Sequence, residues 1–440
     1  MLSKQTKIFM RNTLKLVGVV MLSVLASCSE RASIEPAAQL VLAEYTTEAD
    51  LLAVDLGKKI AVALENENFR AFVGDELKKQ FDGDDNFLIL KAEQDAKNEN
   101  RLGGSFLNML YPKGSTSGRS AGNNDLVKNL EENYPLLQLA FPDLDVGDVN
   151  DWLANPKAVK VVILPADYTE ASGITGALAF DAEGNQTTVP LKEEPNEMVI
   201  VLTRNERTVG IPKESLTAAR IAPPEVCPQM QAIAPVYETD NTVYYNRYQL
   251  EDACNPAPGD GIPGTRPPLV NCSCDRECNP NRKEMIAKVR FPSTTALQWA
   301  EDWPLGKPEM RFVQMRNWDT SVATFNDASF THGKRRDWKD GKWVKMNHQF
   351  NYWNLVDNGD TEAYFVFEED DVPWAWQTYD KTYTLVSKIN GDNIIVRDTW
   401  ESSKGLSSKD CGVKDVYFCD NTTPPTVTEY DNFEFELTQY

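Results

Sequence analysis

Sixty-six acidic side chains against two histidines define the chemistry open to this chain. His332 and His348 stand alone, and no HExxH, GxSxG, P-loop or GxGxxG pattern occurs. Histidine-assisted nucleophilic catalysis and dinucleotide binding therefore have no sequence support. The densest acidic run is Glu368-Glu369-Asp370-Asp371, directly after an apolar strand pattern at 364–367. Four adjacent acids repel one another unless solvated or neutralised, so the run reads as a solvated loop or as a Ca²⁺ site at a strand end. Beside it, Trp374 and Trp376 are two residues apart and share one face of an extended chain, where indole rings can stack on a sugar. Most of the other tryptophans beyond residue 298 are expected in a core.

A second oxygen-rich stretch, Asp82-Gly83-Asp84-Asp85-Asn86, places ligand types at alternate positions, with Glu93 where the twelfth residue of an EF-hand loop falls. Phe87 occupies the position where that loop requires glycine, so a polar turn capping a helix is the simpler reading. No cofactor other than Ca²⁺ is suggested. Asp357-Asn358-Gly359-Asp360, with Glu362 two residues on, reads as a hairpin before it reads as a cation site.

Eight cysteines punctuate the chain. Cys411 and Cys419 are near enough in sequence to close a small loop and are expected to pair. Cys227, Cys254, Cys272, Cys274 and Cys278 have no zinc-ribbon spacing and no nearby histidine, which favours disulfides in an oxidising compartment. An odd number leaves one over, and their pairing is open.

The compartment is written at the N-terminus. Lys4, Lys7, Arg11 and Lys15 precede an apolar run at 16–26, too short to span a bilayer and ending in small residues. Leu25-Ala26-Ser27-Cys28 resembles the lipobox of bacterial lipoproteins, which implies cleavage before Cys28 and acylation of that cysteine. Ser29 after the cysteine goes with the outer membrane in many Gram-negative lipoproteins. The net charge of −21 argues against nucleic acid as a partner.

These features divide the chain into a signal peptide (1–27), a tether (28–46), an α+β domain (47–220), a Cys/Pro-rich linker (221–282) and an antiparallel β-sandwich (283–440). Thr47-x-x-Asp50 predicts a capping box before an apolar period at Leu52, Leu56, Ile60 and Leu64. Further helices are expected around 69–80 and 87–96. Strands are expected at 136–141, 158–164, 174–180 and 198–203, with a turn at 181–185. Beyond the linker, strands are expected at 285–291, 310–315, 362–367, 382–388 and 393–399. Asp340-Gly341, Asn358-Gly359 and Asn390-Gly391 are read as hairpin turns. The final strand alternates Phe433, Phe435 and Leu437 with Glu434, Glu436 and Thr438.

Two groups of short motifs stand out: Phe69-Arg70 and Lys79-Gln80-Phe81-Asp82-Gly83-Asp84, with the later Tyr134-Pro135-Leu136-Leu137-Gln138-Leu139 and Asn205-Glu206-Arg207, and the stretch Trp303 to Arg311. Together they resemble uncharacterised lipoproteins of the Bacteroidota. The resemblance implies compartment and architecture, and no activity. The expectation is a lipid-anchored envelope protein that binds a glycan or a protein without catalysis. The alternative is a carboxylate-dependent hydrolase of envelope or extracellular polymers, marked by a cleft with two carboxylates.

Overall fold

Thr47 opens the first helix, α1 (Glu48–Ala63), as its spacing predicts: its hydroxyl accepts from the Asp50 amide while the Asp50 carboxylate accepts from the Thr47 amide. The computed structural model describes residues 44–101, 104–111, 119–144, 146–154, 159–169, 172–217, 232–247, 249–250, 283–318, 322–330, 333–353, 355–368, 377–389, 392–404, 409–419, 426–430 and 433–439. Cys28, the central cysteines, Glu369, Asp370, Asp371, Trp374 and Trp376 lie outside these residues.

Helices α1 and α2 (Glu67–Leu77) bury one apolar face each. Gly57 lets α1 approach the sheet beneath, since a Cβ there would stand 2.7 Å from Ile163 Cγ1. That sheet has six strands in the order β1-β2-β6-β3-β4-β5. They are β1 (Asn86–Leu88), β2 (Leu137–Ala140), β3 (Lys160–Ile163), β4 (Gly176–Phe180), β5 (Gln186–Pro190) and β6 (Val199–Arg204). All neighbours are antiparallel except β3 and β6. The turn at 181–185 joins β4 to β5, as expected. Helix α3 (Ile89–Asn98) begins later than its apolar pattern suggests, because 86–88 are drawn into the sheet edge against β2.

Within the stretch expected to be linker, Thr242-Val-Tyr-Tyr-Asn246 is a strand. It pairs as β9 (Thr242–Asn246) with β7 (Thr208–Pro212) and β8 (Tyr237–Glu238), and Tyr237 stacks on Tyr244 at 4.2 Å. Aromatic and β-branched residues outweigh the surrounding prolines there.

The C-terminal part is dominated by antiparallel strands. One sheet has the order β13-β10-β19-β18, built from β10 (Lys283–Arg290), β13 (Val344–Tyr352), β18 (Thr426–Tyr430) and β19 (Phe433–Gln439). A second has the order β12-β11-β14-β17, from β11 (Met310–Trp318), β12 (Val322–Phe330), β14 (Thr361–Glu368) and β17 (Lys409–Tyr417). Ile286, Val289, Phe433, Phe435 and Leu437 of the first sheet share one hydrophobic cluster with Met310, Phe312, Tyr364 and Val366 of the second. The opposite face of the second sheet, with Val313, Met315, Phe365 and Phe367, packs on Leu385 and Val396 of a long hairpin. That hairpin comprises β15 (Gln377–Ile389) and β16 (Asp392–Lys404), with Ile389 facing Asp392 across a two-residue connection. Strand β14 is thus covered on both sides and buried along its whole length.

The other two glycine pairs do not join paired strands. Asn358 ends a short helix, α4 (Leu355–Asn358), and Gly359 follows with φ 78° as its terminator. Asp340 and Gly341, both with positive φ, lead from a 3₁₀ turn into β13.

The expected Cys411–Cys419 bridge is corrected. Cys411 is a buried thiol in the inter-sheet cluster, while Cys419 is disulfide-bonded to a cysteine outside the described residues. Strand β17 runs extended from Cys411 to Tyr417, roughly 20 Å at the usual rise of about 3.3 Å per residue. A disulfide needs Cα atoms within about 7 Å.

Candidate functional site

The motifs at Gln80–Asp84, Gln138, Asn205–Arg207 and Trp303–Arg311 are far apart in sequence and meet at one place. Two glycine-bearing loops face each other there. In the first, Gly83 has φ 96°, a conformation that side chains disfavour, and its carbonyl accepts from Lys307 Nζ at 3.1 Å. In the second, Gly306 has φ 122°, and its carbonyl accepts from Arg335 Nη1 at 2.8 Å.

Beneath the loops lies a closed amide–carboxylate ring. Asn86 Nδ2 donates to Asp82 Oδ2 (3.0 Å) and Gln138 Oε1 (2.8 Å); Asn205 Nδ2 donates to the same two oxygens, each at 2.8 Å. Burial raises the Asp82 carboxyl above the usual range, with Arg207 opposing and Asp84 adding to the rise. Above the ring, Arg207 binds Glu309 through Nε and Asp84 through Nη1 (2.6 Å), and Lys307 adds a 3.1 Å contact to Asp84. Arg207 and Lys307 are nearly inaccessible, so these pairs have given up hydration and depend on one another.

Beyond Arg207, whose partner Glu309 reverses the order, most ion pairs along the seam take the acid from the first part of the chain and the cation from the second. Lys334 contacts Asp85 and Asp148, Arg336 contacts Asp143 and Asp148, and Arg335 and Lys339 share Glu194. Burial works against charge on Lys334, but Asp85, Asp143 and Asp148 outweigh it and raise its pKa. Asp302 runs the other way, accepting from Tyr168 and Lys192. Trp303 inserts into the core of the six-stranded sheet beside Val162, Val189 and Val201.

Two cavities open on this seam, of about 20 and 40 Å³. One water needs about 10–15 Å³ by this measure, and an organic ligand needs several hundred. The seam therefore has room for solvent or a bare ion and none for a polymer.

The candidates from the sequence are only partly brought together. Asp82, Asp84 and Asn86 lie in the seam, but Arg207 and Lys307 supply the positive charge there. Glu93 is elsewhere, accepting from Ser105 Oγ (3.1 Å) and the Leu107 amide (2.9 Å). Among the described residues, no group of three or more His, Cys, Asp or Glu side chains is arranged to hold a metal ion. Glu368 is the last residue of β14 and fully buried, so the acidic run begins inside the protein. Trp303, Trp338 and Trp353 are buried too.

Glu362, which the sequence offered only as the end of a hairpin or cation motif, sits between the C-terminal sheets. Glu362 Oε2 accepts from Gln314 Nε2 (2.7 Å) and Tyr364 OH (3.0 Å), and Oε1 has no hydrogen-bond partner. Burial lifts its pKa to about 7; Arg316 opposes that rise and Glu284 reinforces it. Glu284 and Glu362 are both 0% exposed, so neither is presented to a substrate. The signal was a charge in register with Tyr364 and Val366, which face the inter-sheet cluster. No protein-family model matches this chain, and no match was found among curated proteins or solved structures.

Proposed function

We propose that this chain is an exported, lipid-anchored envelope protein that binds an extracellular partner and does not catalyse a reaction. In this reading a β-sandwich, formed by the two C-terminal four-stranded sheets, is carried by the α+β part and tethered to the outer membrane through Cys28. The observation that carries the binding role is the seam: its carboxylates are engaged by cations or amides, and its cavities of about 20 and 40 Å³ are too small for a polymer substrate. A further coupled carboxylate pair, Glu284 and Glu362, is 0% exposed. These observations weigh against the hydrolase alternative, which needs two carboxylates in an open cleft.

The anchor rests on the basic, apolar and Leu-Ala-Ser-Cys order of residues 4–28. Two or three acyl chains, each methylene contributing about 0.8 kcal/mol, hold a protein firmly at a bilayer. Cys28→Ala should abolish labelling with a fatty-acid analogue and move the protein to the soluble fraction. Unchanged labelling and fractionation would refute the anchor. Release of reducing ends from envelope polysaccharides by the purified chain would refute the non-catalytic role.

A further inference from the structure

We infer that the outer face of the β10/β13 pair is a binding platform for a polysaccharide bearing carboxylate groups, centred on Trp343. The inference rests on the reading of this protein as an extracellular binder and names the site and ligand class.

Trp343 is half-buried immediately before β13, and its ring is fixed from the neighbouring strand β10. Arg290 lies 4.5 Å from the ring centroid and Lys288 4.9 Å. Those cations are themselves held: Arg290 Nη2 contacts Glu434 at 2.5 Å and Lys288 contacts Glu436 at 2.8 Å, both on the next strand, β19. The indole is therefore preorganised, which removes the ordering cost that a free ring would pay on binding.

Beside it opens a shallow groove of about 530 Å³ lined by Asp337, Lys342, Trp343, Val344 and Lys345. That volume lies in the range of ligand sites. The open form suits a chain passing across a ring more than an enclosed small molecule.

The groove lining carries two lysines against one aspartate in a protein of net charge −21. Lys345 stands directly opposite Lys288 in the β10/β13 register, a like-charge pair that destabilises a sheet. Glu434 and Glu436 are engaged by Arg290 and Lys288. Lys342 Nζ donates to the Arg336 carbonyl at 3.3 Å and has a distant contact to Asp340 at 3.9 Å, so its charge is not neutralised by a close acid, and the Asp337 carboxylate accepts from the Lys334 amide. Two ammonium groups flanking a fixed aromatic ring match an acidic sugar, whose C–H face stacks while its carboxylate is neutralised.

An acidic peptide added as a strand to β13 fits less well. β13 is the edge strand, but its pairing with β10 carries two register shifts, and Asn347 has φ 52°. Such irregularities break the regular ladder that strand addition requires.

The test is calorimetric titration of the full chain with polygalacturonate oligomers, with neutral dextran and polyglutamate in parallel. Variants Trp343→Ala and the double Lys342→Gln/Lys345→Gln are compared after thermal melts, with Lys345→Gln alone as a milder substitution if either fails to fold. Binding of polygalacturonate that weakens at least tenfold in the Trp343 and double-lysine variants, weakens with salt, and is absent for dextran supports the inference. No binding, unchanged binding in the variants, or equal binding of dextran or polyglutamate overturns it; the lysines then serve only to guard a sheet edge. Cleavage of the bound oligomer would refute the non-catalytic role while leaving the platform intact, whereas absence of binding leaves the Cys28 anchor untouched.

Discussion

Neutralising Glu362 should remove a specific part of the pH dependence of stability. The carboxyl is fully buried between two sheets, with an ordinary value of 4.5 raised to about 7 by burial and by Glu284, against the opposing charge of Arg316. The folded state keeps a proton that the unfolded chain releases. Between pH 4.5 and 7 the folded form therefore binds more protons, and stability falls as pH rises. The gap, at about 1.4 kcal/mol per pH unit, corresponds to roughly 3 kcal/mol present below pH 4.5 and lost by pH 7. In Glu362→Gln the amide oxygen can still accept from Gln314 and Tyr364, while its NH₂ occupies the side that has no partner, at a cost of about 1 kcal/mol. The variant should be slightly less stable than the parent at pH 5 and more stable by about 2 kcal/mol at pH 8. Urea unfolding at both pH values measures this, since the difference between the two proteins cancels titrations they share. Parallel pH profiles would refute the argument and mean that Glu362 is ionised in the fold.

Three further outcomes are expected. Arg207→Ala leaves the buried Glu309 and the partly exposed Asp84 with Lys307 as the near cation, and should cost about 3 kcal/mol in chemical unfolding; a loss below 1 kcal/mol would show the seam to be hydrated. Trp303→Ala should cost a similar ~3–5 kcal/mol by emptying a site in the core of the six-stranded sheet, and an unchanged thermal melt would contradict its placement. Peptide mapping should find Cys411 alkylated only after denaturation and Cys419 linked to one of the central cysteines; a Cys411–Cys419 peptide would restore the pairing expected from sequence.

What could be read from sequence was what depends on near neighbours. The Thr47 box, the 181–185 turn and the Phe433, Phe435 and Leu437 alternation each involve residues a few positions apart, and each is found. β1 was missed because three residues carry no period. Gly359 supplies positive φ equally to a hairpin and to a helix end, so dipeptide identity could not choose between them. Glu93 has the twelfth-position spacing of a calcium loop, but helix α3 turns it towards residues 105–107. The seam was the least legible feature. Its loops carried recognisable motifs, yet Asp82 and Asn205, or Arg207 and Glu309, are separated by more than a hundred residues and nothing local announces that they meet.

The facing loops at Gly83 and Gly306 also bear on how the fold comes apart. Association rests on side chains that interlock across the seam, with Trp303 seated in the opposite core. Neither part can then open without stranding charge or leaving a hole in its neighbour. The six-stranded sheet and the C-terminal sheets should therefore lose structure in one shared transition, with no separate early step for either.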